Sequence, residues 1–237
     1  MAFYNFFKRE RSKQFKYLTE LSNNSIIKYL HSEFINDDSE TRKLLEIGIG
    51  QGDMKEKLQI LPGHVYLGMD INFGICANFL KGSALNINAA LPVLPLKEKS
   101  VDVVYLSHVI EHLFDYSTVL KFLQESNRVL SDDGRLIILF PDYDSWQIDF
   151  EDVDYSHNFP MTARRMEQLS ADSGFKIKKW TDYCGIGTGL KGRLFSLMGK
   201  MIPFRLIYSL NPPKFYKWRK SAYAFNRNLI FVLQKAI

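Results

Sequence analysis

The chain has 237 residues, enough for one α/β domain with a sizeable core, and its 46% apolar and 24% charged residues are ordinary for a globular protein. No apolar run approaches the roughly 18 residues of a spanning helix, and two cysteines, Cys76 and Cys184, are too few for a disulfide framework or zinc knuckle. The net charge of +5 is uneven: residues 184–225 hold eight Lys or Arg and no Asp or Glu, while the preceding chain is slightly acidic. That asymmetry points to an anionic partner or a solvated basic face. The opening MAFYNFFKRERSK places its charges after an aromatic cluster, the reverse of a secretory signal, so a cytoplasmic, reducing setting is expected.

In chain order, residues 42–47 read as a short buried strand closed by a glycine turn. Residues 54–60 are a predicted short helix, broken by Pro62-Gly63, and residues 65–69 a second strand ending at Asp70. A third strand is predicted at 78–81 and a fourth at 101–106. The spacing of Leu120, Leu123 and Leu130 predicts an amphipathic helix starting near Asp115. Asp132-Asp133-Gly134 reads as a turn before a fifth strand at 135–140. Thr162 is placed to cap a helix over 163–173, ended by Gly174, and strands at 175–180 and 228–234 complete the set. Strands alternating with helices argue for a parallel sheet covered on both faces. The predicted organisation is an N-terminal helical region over 1–41, a core over 42–183, a basic, apolar insertion over 184–225 and a final core strand over 226–237.

The stretch LLEIGIGQGD, residues 44–53, carries three glycines after a strand. Glycine lets the backbone approach a ligand without an intervening Cβ. The spacing Gly48-x-Gly50-x-Gly52 is not the G-x-G-x-x-G of pyrophosphate binders, and no Walker lysine follows. Glu46, two residues before the first glycine, would repel a phosphate and suits a cationic ligand. Asp70 lies 22 residues after Gly48, where a carboxylate can accept both hydroxyls of a ribose.

These residues resemble the class I S-adenosylmethionine-dependent methyltransferases, of the type 11/23-like kind. The resemblance continues through LPLKEKSVDVVYLSHVIEHL, RVLSDDGRLIILFPDY and the stretch from His157 to Phe175, covering roughly residues 42–180. It implies a Rossmann-like, doubly wound α/β fold: a mostly parallel seven-stranded sheet with an antiparallel last strand. It implies S-adenosyl-L-methionine as cofactor, with Gly48, Gly50 and Gly52 under the methionine part, Asp70 on the ribose diol and Ile71 against the adenine. Glu46 would orient the loop and the cationic end of the cofactor. Where the family often has an aspartate after strand three, Ser83 and Ala84 are the expected residues. Ser107 and His108 should face the methyl donor.

Catalytic candidates cluster in His108-Val-Ile-Glu111-His112, with His157 placed to fold over the same pocket. HxxEH also matches an inverted zinc-protease pattern, which its place in a methyltransferase segment argues against. Small-RNA 2′-O-methyltransferases and ubiquinone-pathway O-methyltransferases hold a divalent metal through ExxEH; here Glu111 and His112 match and His108 replaces the first Glu. The expected set contains no metal ligand.

The insertion mixes Leu190, Leu194, Leu197, Met198 and Met201, near helical spacing, with Lys191, Arg193 and Lys200. It suits a membrane-interface segment, an RNA grip or a substrate lid. The expected protein is an O-methyltransferase acting on a glycan or lipid-linked small molecule, with peripheral contact at the inner face of a membrane. Alternatives are an RNA 2′-O-methyltransferase using a divalent metal, and a non-catalytic cofactor-binding partner in a complex.

Overall fold

The computed structural model describes residues 26–27, 29–30, 42–50, 64–72, 74, 85–88, 90–185, 187–212, 214 and 222–236. Its strands are β1 (Lys43–Ile47), β2 (Val65–Asp70), β3 (Leu85–Asn88), β4 (Val101–Ser107), β5 (Leu130–Pro141), β6 (Phe175–Cys184), the two-residue β7 (Gly187–Thr188) and β8 (Asn228–Lys235). They form one sheet in the order β3-β2-β1-β4-β5-β8-β6-β7. β1 pairs in parallel with β2 and β4, and β4 in parallel with β5. β8 runs antiparallel to both β5 and β6. This is the expected seven-stranded sheet with its antiparallel last strand, extended at one edge by β7.

The period-2 alternation of strand side chains explains the layering. Leu45, Ile47, Val104, Leu106, Ile138 and Phe140 point to one face, where Phe122, Leu123 and Met166 cover them. Leu44, Tyr66, Val103, Tyr105, Ile137 and Leu139 point to the other, where Ile26 and Leu30 of the N-terminal region pack. Burial on both faces is why β1 and β4 read as near-continuous apolar runs. The strand order reverses between β1 and β4, so a crevice opens beyond their carboxyl ends.

The helices are α1 (Tyr116–Val129), α2 (Tyr143–Trp146), α3 (Ile148–Val153), α4 (Ala163–Asp172), α5 (Gly189–Lys200) and α6 (Phe204–Leu210). Asp115 caps α1, its carboxylate accepting the Thr118 amide at 2.8 Å, and Thr162 caps α4 through the Arg165 amide at 3.2 Å.

Four expectations change. The third strand is Leu85–Asn88, where Leu67–Asp70 of β2 supply a parallel register; residues 78–81 lie outside the described residues. The predicted helix 54–60 lies outside them too. Leu130 belongs to the sheet and not to the helix before it, because its backbone pairs with Val101. The ladder resumes at Val103 and Arg135, so residues 131–134 form an irregularity within β5 and not a separate turn. β6 continues to Cys184, past the predicted strand end at residue 180, because Asp182, Tyr183 and Cys184 are buried.

Candidate functional site

The crevice is built first from backbone. β1 ends in a turn where Gly48 and Gly50 have φ of +73° and +52°, a region L side chains rarely adopt. A Cβ on Gly48 would fall 2.4 Å from Val109 Cγ2, so the turn also packs tightly against the segment after β4. The Gly48 amide donates to Met69 O at 2.8 Å, tying the turn to the end of β2. Among the described residues, a Cβ on Gly50 would meet only the Gly48 carbonyl oxygen, at 3.8 Å, so they leave that side of the loop open.

Asp70 ends β2 and is 6% exposed. Its carboxylate accepts the Gly50 amide at 3.3 Å and the Asn72 amide at 2.8 Å, so the glycine turn and the acid form one unit. Ile71 beside it is 75% exposed. Glu46 is buried and accepts a hydrogen bond from the Tyr66 hydroxyl. Burial first, then the Glu46 charge, pushes the Tyr66 and Tyr105 hydroxyls well above the ordinary phenol range. Gly52, Ser83 and Ala84 lie outside the described residues. The strand end that sits in register beside Asp70 is Asn88, which the sequence reading missed by placing β3 too early.

β4 delivers the second part. Ser107 closes it and His108 follows with φ +55°, a left-handed conformation unusual for a residue other than glycine and costing about 1–3 kcal/mol. The His108 amide donates to Leu139 O at 2.9 Å, which fixes this bend to β5. A 3₁₀ turn, Ile110–His112, comes next. Glu111 is fully buried, and one of its oxygens accepts from His108 Nδ1 at 3.1 Å. Its other oxygen, Oε2, has no hydrogen-bond partner. Burial opposes the Glu111 charge, but the His108 hydrogen bond and the charges of His108 and His112 outweigh it and hold the carboxyl below its usual range.

The loop after α3 folds onto this turn, for the Asn158 and Phe159 amides both donate to Glu111 O, at 2.9 and 3.0 Å. It brings the His157 ring to 4.9 Å from the His112 ring. His157 Nδ1 lies 2.6 Å from Phe150 O, and His112 Nδ1 lies 3.3 Å from Ser156 O. A carbonyl only accepts, so both Nδ1 atoms donate there, and in a neutral ring so oriented Nε2 is the atom left with a lone pair. Burial pushes the His157 imidazole below its ordinary range, with the Glu111 charge partly opposing. Ligand atoms of Glu111, His112 and His157 all lie within 4.8 Å of one another.

Residues 45–138 match the methyltransferase domain family. This stretch, about two fifths of the chain, is a methyltransferase domain of the class I S-adenosylmethionine-dependent kind. Its cofactor is S-adenosylmethionine, and the open side of Gly50 beside the buried Asp70 carboxylate fits such a ligand. An uncharacterized 37.1 kDa protein in transposon TN4556 of Streptomyces fradiae is 30% identical over 95 residues, covering 35% of this chain and 27% of that protein. The chain thus spans about a quarter of that relative's length. Among solved structures, a SAM-dependent methyltransferase from Archaeoglobus fulgidus superposes with a TM-score of 0.61 at 19% identity, covering 94% of this chain and 100% of that one. One from Mesorhizobium loti gives 0.59 at 12% identity, over 94% and 98%. The [4+2]-cyclase SpnF gives 0.62 at 15% identity, over 90% and 80%. At these identities the superpositions speak for the fold.

A cleft of about 540 Å³ also opens where α2 and α3 face the insertion, lined by Trp146, Gln147, Asp149, Arg205 and Asn226 among others. Asp149 accepts from Arg205 at 2.9 Å and from Asn226 at 3.0 Å. α3 joins this cleft to the histidine cluster, since Asp149 lines the cleft and the neighbouring Phe150 carbonyl holds His157. No sequence signal links Asp149 to residues 56 and 77 positions away.

Proposed function

We propose that this methyltransferase O-methylates a hydroxyl of a glycan or lipid-linked small molecule. The observation that carries the oxygen acceptor is the histidine cluster beyond β4. Methyl transfer is an in-line displacement in which placement of the reacting atoms supplies most of the rate. Bound S-adenosylmethionine supplies the electrophilic methyl group on a sulfonium. Gly48 and Gly50 would present bare backbone to its methionine part, a role also expected of Gly52, which lies outside the described residues. Asp70 would accept from the ribose diol, Ile71 would cover the adenine, and Ser107 and His108 would face the methyl. A hydroxyl must also lose its proton, and the neutral His157, with Nε2 as acceptor, takes it. The Phe150 carbonyl orients His157, and His112 packs beside it.

A second reading follows from the unpartnered Glu111 Oε2 beside His112 and His157. These three residues fit a divalent ion, and two imidazoles with one carboxylate favour an ion softer than magnesium. This is the reading an RNA 2′-O-methyltransferase would use. Activity lost in chelator and restored by a divalent ion supports it; full activity in chelator removes it.

The test of the main proposal is methyl-labelled cofactor incubated separately with glycan acceptors, a lipid extract and RNA. Label in an alkali-stable ether of the first two supports the proposal, and label in RNA supports the second reading. Saturable cofactor binding with no transfer to any acceptor favours a non-catalytic partner, a distinction the fold alone cannot make given its match to a cyclase.

A further inference from the structure

The insertion's long helix is inside out. α5 turns Gly192, Ser196 and Gly199 into the domain and buries them. The fit is close enough that a Cβ on Gly199 would lie 2.1 Å from the Phe225 Cβ, and one on Gly192 2.6 Å from Gly187 O. Its large apolar residues point the other way. Leu190, Leu194, Leu197 and Met198 are 73%, 54%, 59% and 62% exposed, and Met201 just after the helix is 85% exposed. Their spacing makes one continuous stripe on a wheel of about 100° per residue. Lys191 falls on one flank of that stripe and Lys200 on the other, while Arg193 beside Lys200 is ion-paired with the buried Asp182. In α6, Leu206 and Leu210 are again exposed, at 64% and 75%.

We propose that α5 docks onto an anionic lipid bilayer surface, its leucine and methionine stripe entering the headgroup boundary and its flanking cations meeting lipid phosphates. An outward apolar stripe bordered by cations is the pattern of a helix lying in an interface. Charge selects the occupant: no Asp or Glu follows Asp182 in the sequence, so the face is attracted to anionic headgroups. A second copy of the chain would bring like charge against like charge. The stripe is aliphatic and lacks the Trp and Tyr that dominate protein–protein hot spots. Among the described residues no helix is long and apolar enough to cross a membrane, so the contact lies on the bilayer and does not span it. The proposal does not depend on the acceptor.

The experiment is co-sedimentation of the full chain with vesicles of phosphatidylcholine alone and of phosphatidylcholine with phosphatidylglycerol, at low and high salt. The variant is Leu194→Glu/Leu197→Glu, whose side chains touch solvent; its circular dichroism and cofactor affinity are expected to match the unaltered chain. The unaltered chain should pellet with the anionic vesicles, less so at high salt, and the variant should bind at least roughly tenfold more weakly. No pelleting of the unaltered chain, or equal pelleting of the variant, overturns the proposal. So does a dimer, seen by light scattering, that the variant dissociates, because the face would then belong to a second copy.

Discussion

The turn after β1 and the helix α5 both depend on glycine, for opposite ends. At Gly48 and Gly50 the missing side chain permits a left-handed backbone, and at Gly50 no described side chain fills the space beside it. At Gly192 and Gly199 of α5 the backbone is ordinary helix, and the missing side chains let the helix sit against the domain. The first region is defined by what its backbone offers. The second is defined by what its close seating forces outward, namely a row of leucines and methionines. A glycine pattern therefore marks either a ligand cradle or a docked helix, and φ together with the direction of the absent Cβ tells them apart.

Substitutions can break this contrast or sharpen it. His157→Ala should lower kcat by roughly 10²–10⁴ while cofactor affinity stays unchanged, as expected for a base that does not touch the cofactor. Because the neutral ring is the working form and burial pushes its pKa down, kcat/KM should hold its plateau at pH 7. It should fall only below the ordinary imidazole value of about 6.5. An acid limb at or above pH 7 would point to another base.

Gly50→Val should weaken cofactor binding by roughly a hundredfold, about 3 kcal/mol, by filling the open side of the turn and straining φ. Circular dichroism should remain that of the unaltered chain. Asp70→Ala should cost about 1.5–3 kcal/mol of cofactor affinity by calorimetry, the usual worth of a hydrogen bond to a charged group. At α5 the signs move to stability. Gly199→Ala should cost about 1–3 kcal/mol in denaturant unfolding, because Phe225 has to shift. Leu194→Ala should stay within about 0.5 kcal/mol. A large loss at Leu194 would mean that the stripe is core.

What the sequence disclosed follows the same division. The turn after β1, the caps Asp115 and Thr162, and the apolar runs of β4 and β5 were legible because each is a local demand that few residue types meet. β3 was not, since Asn78–Lys81 and Leu85–Asn88 are both short and apolar-polar mixed, and only the register against β2 chooses between them. The histidines at 108, 112 and 157 were readable as candidates. That Glu111 is fully buried with one unpartnered oxygen depends on how the loop from residue 154 closes over it, which no spacing reveals. The stripe in α5 has the periodicity of a buried helix. Only the packing of Gly199 on Phe225 shows which face is inside.

The most direct test of the central claim is calorimetric titration of the full chain with S-adenosylmethionine, beside the Gly50→Val variant. The expected result is saturable binding at one site that the variant loses while remaining folded. No binding by the unaltered chain, or equal affinity in both proteins, would contradict the assignment of the crevice beyond β1 and β2 as the cofactor site.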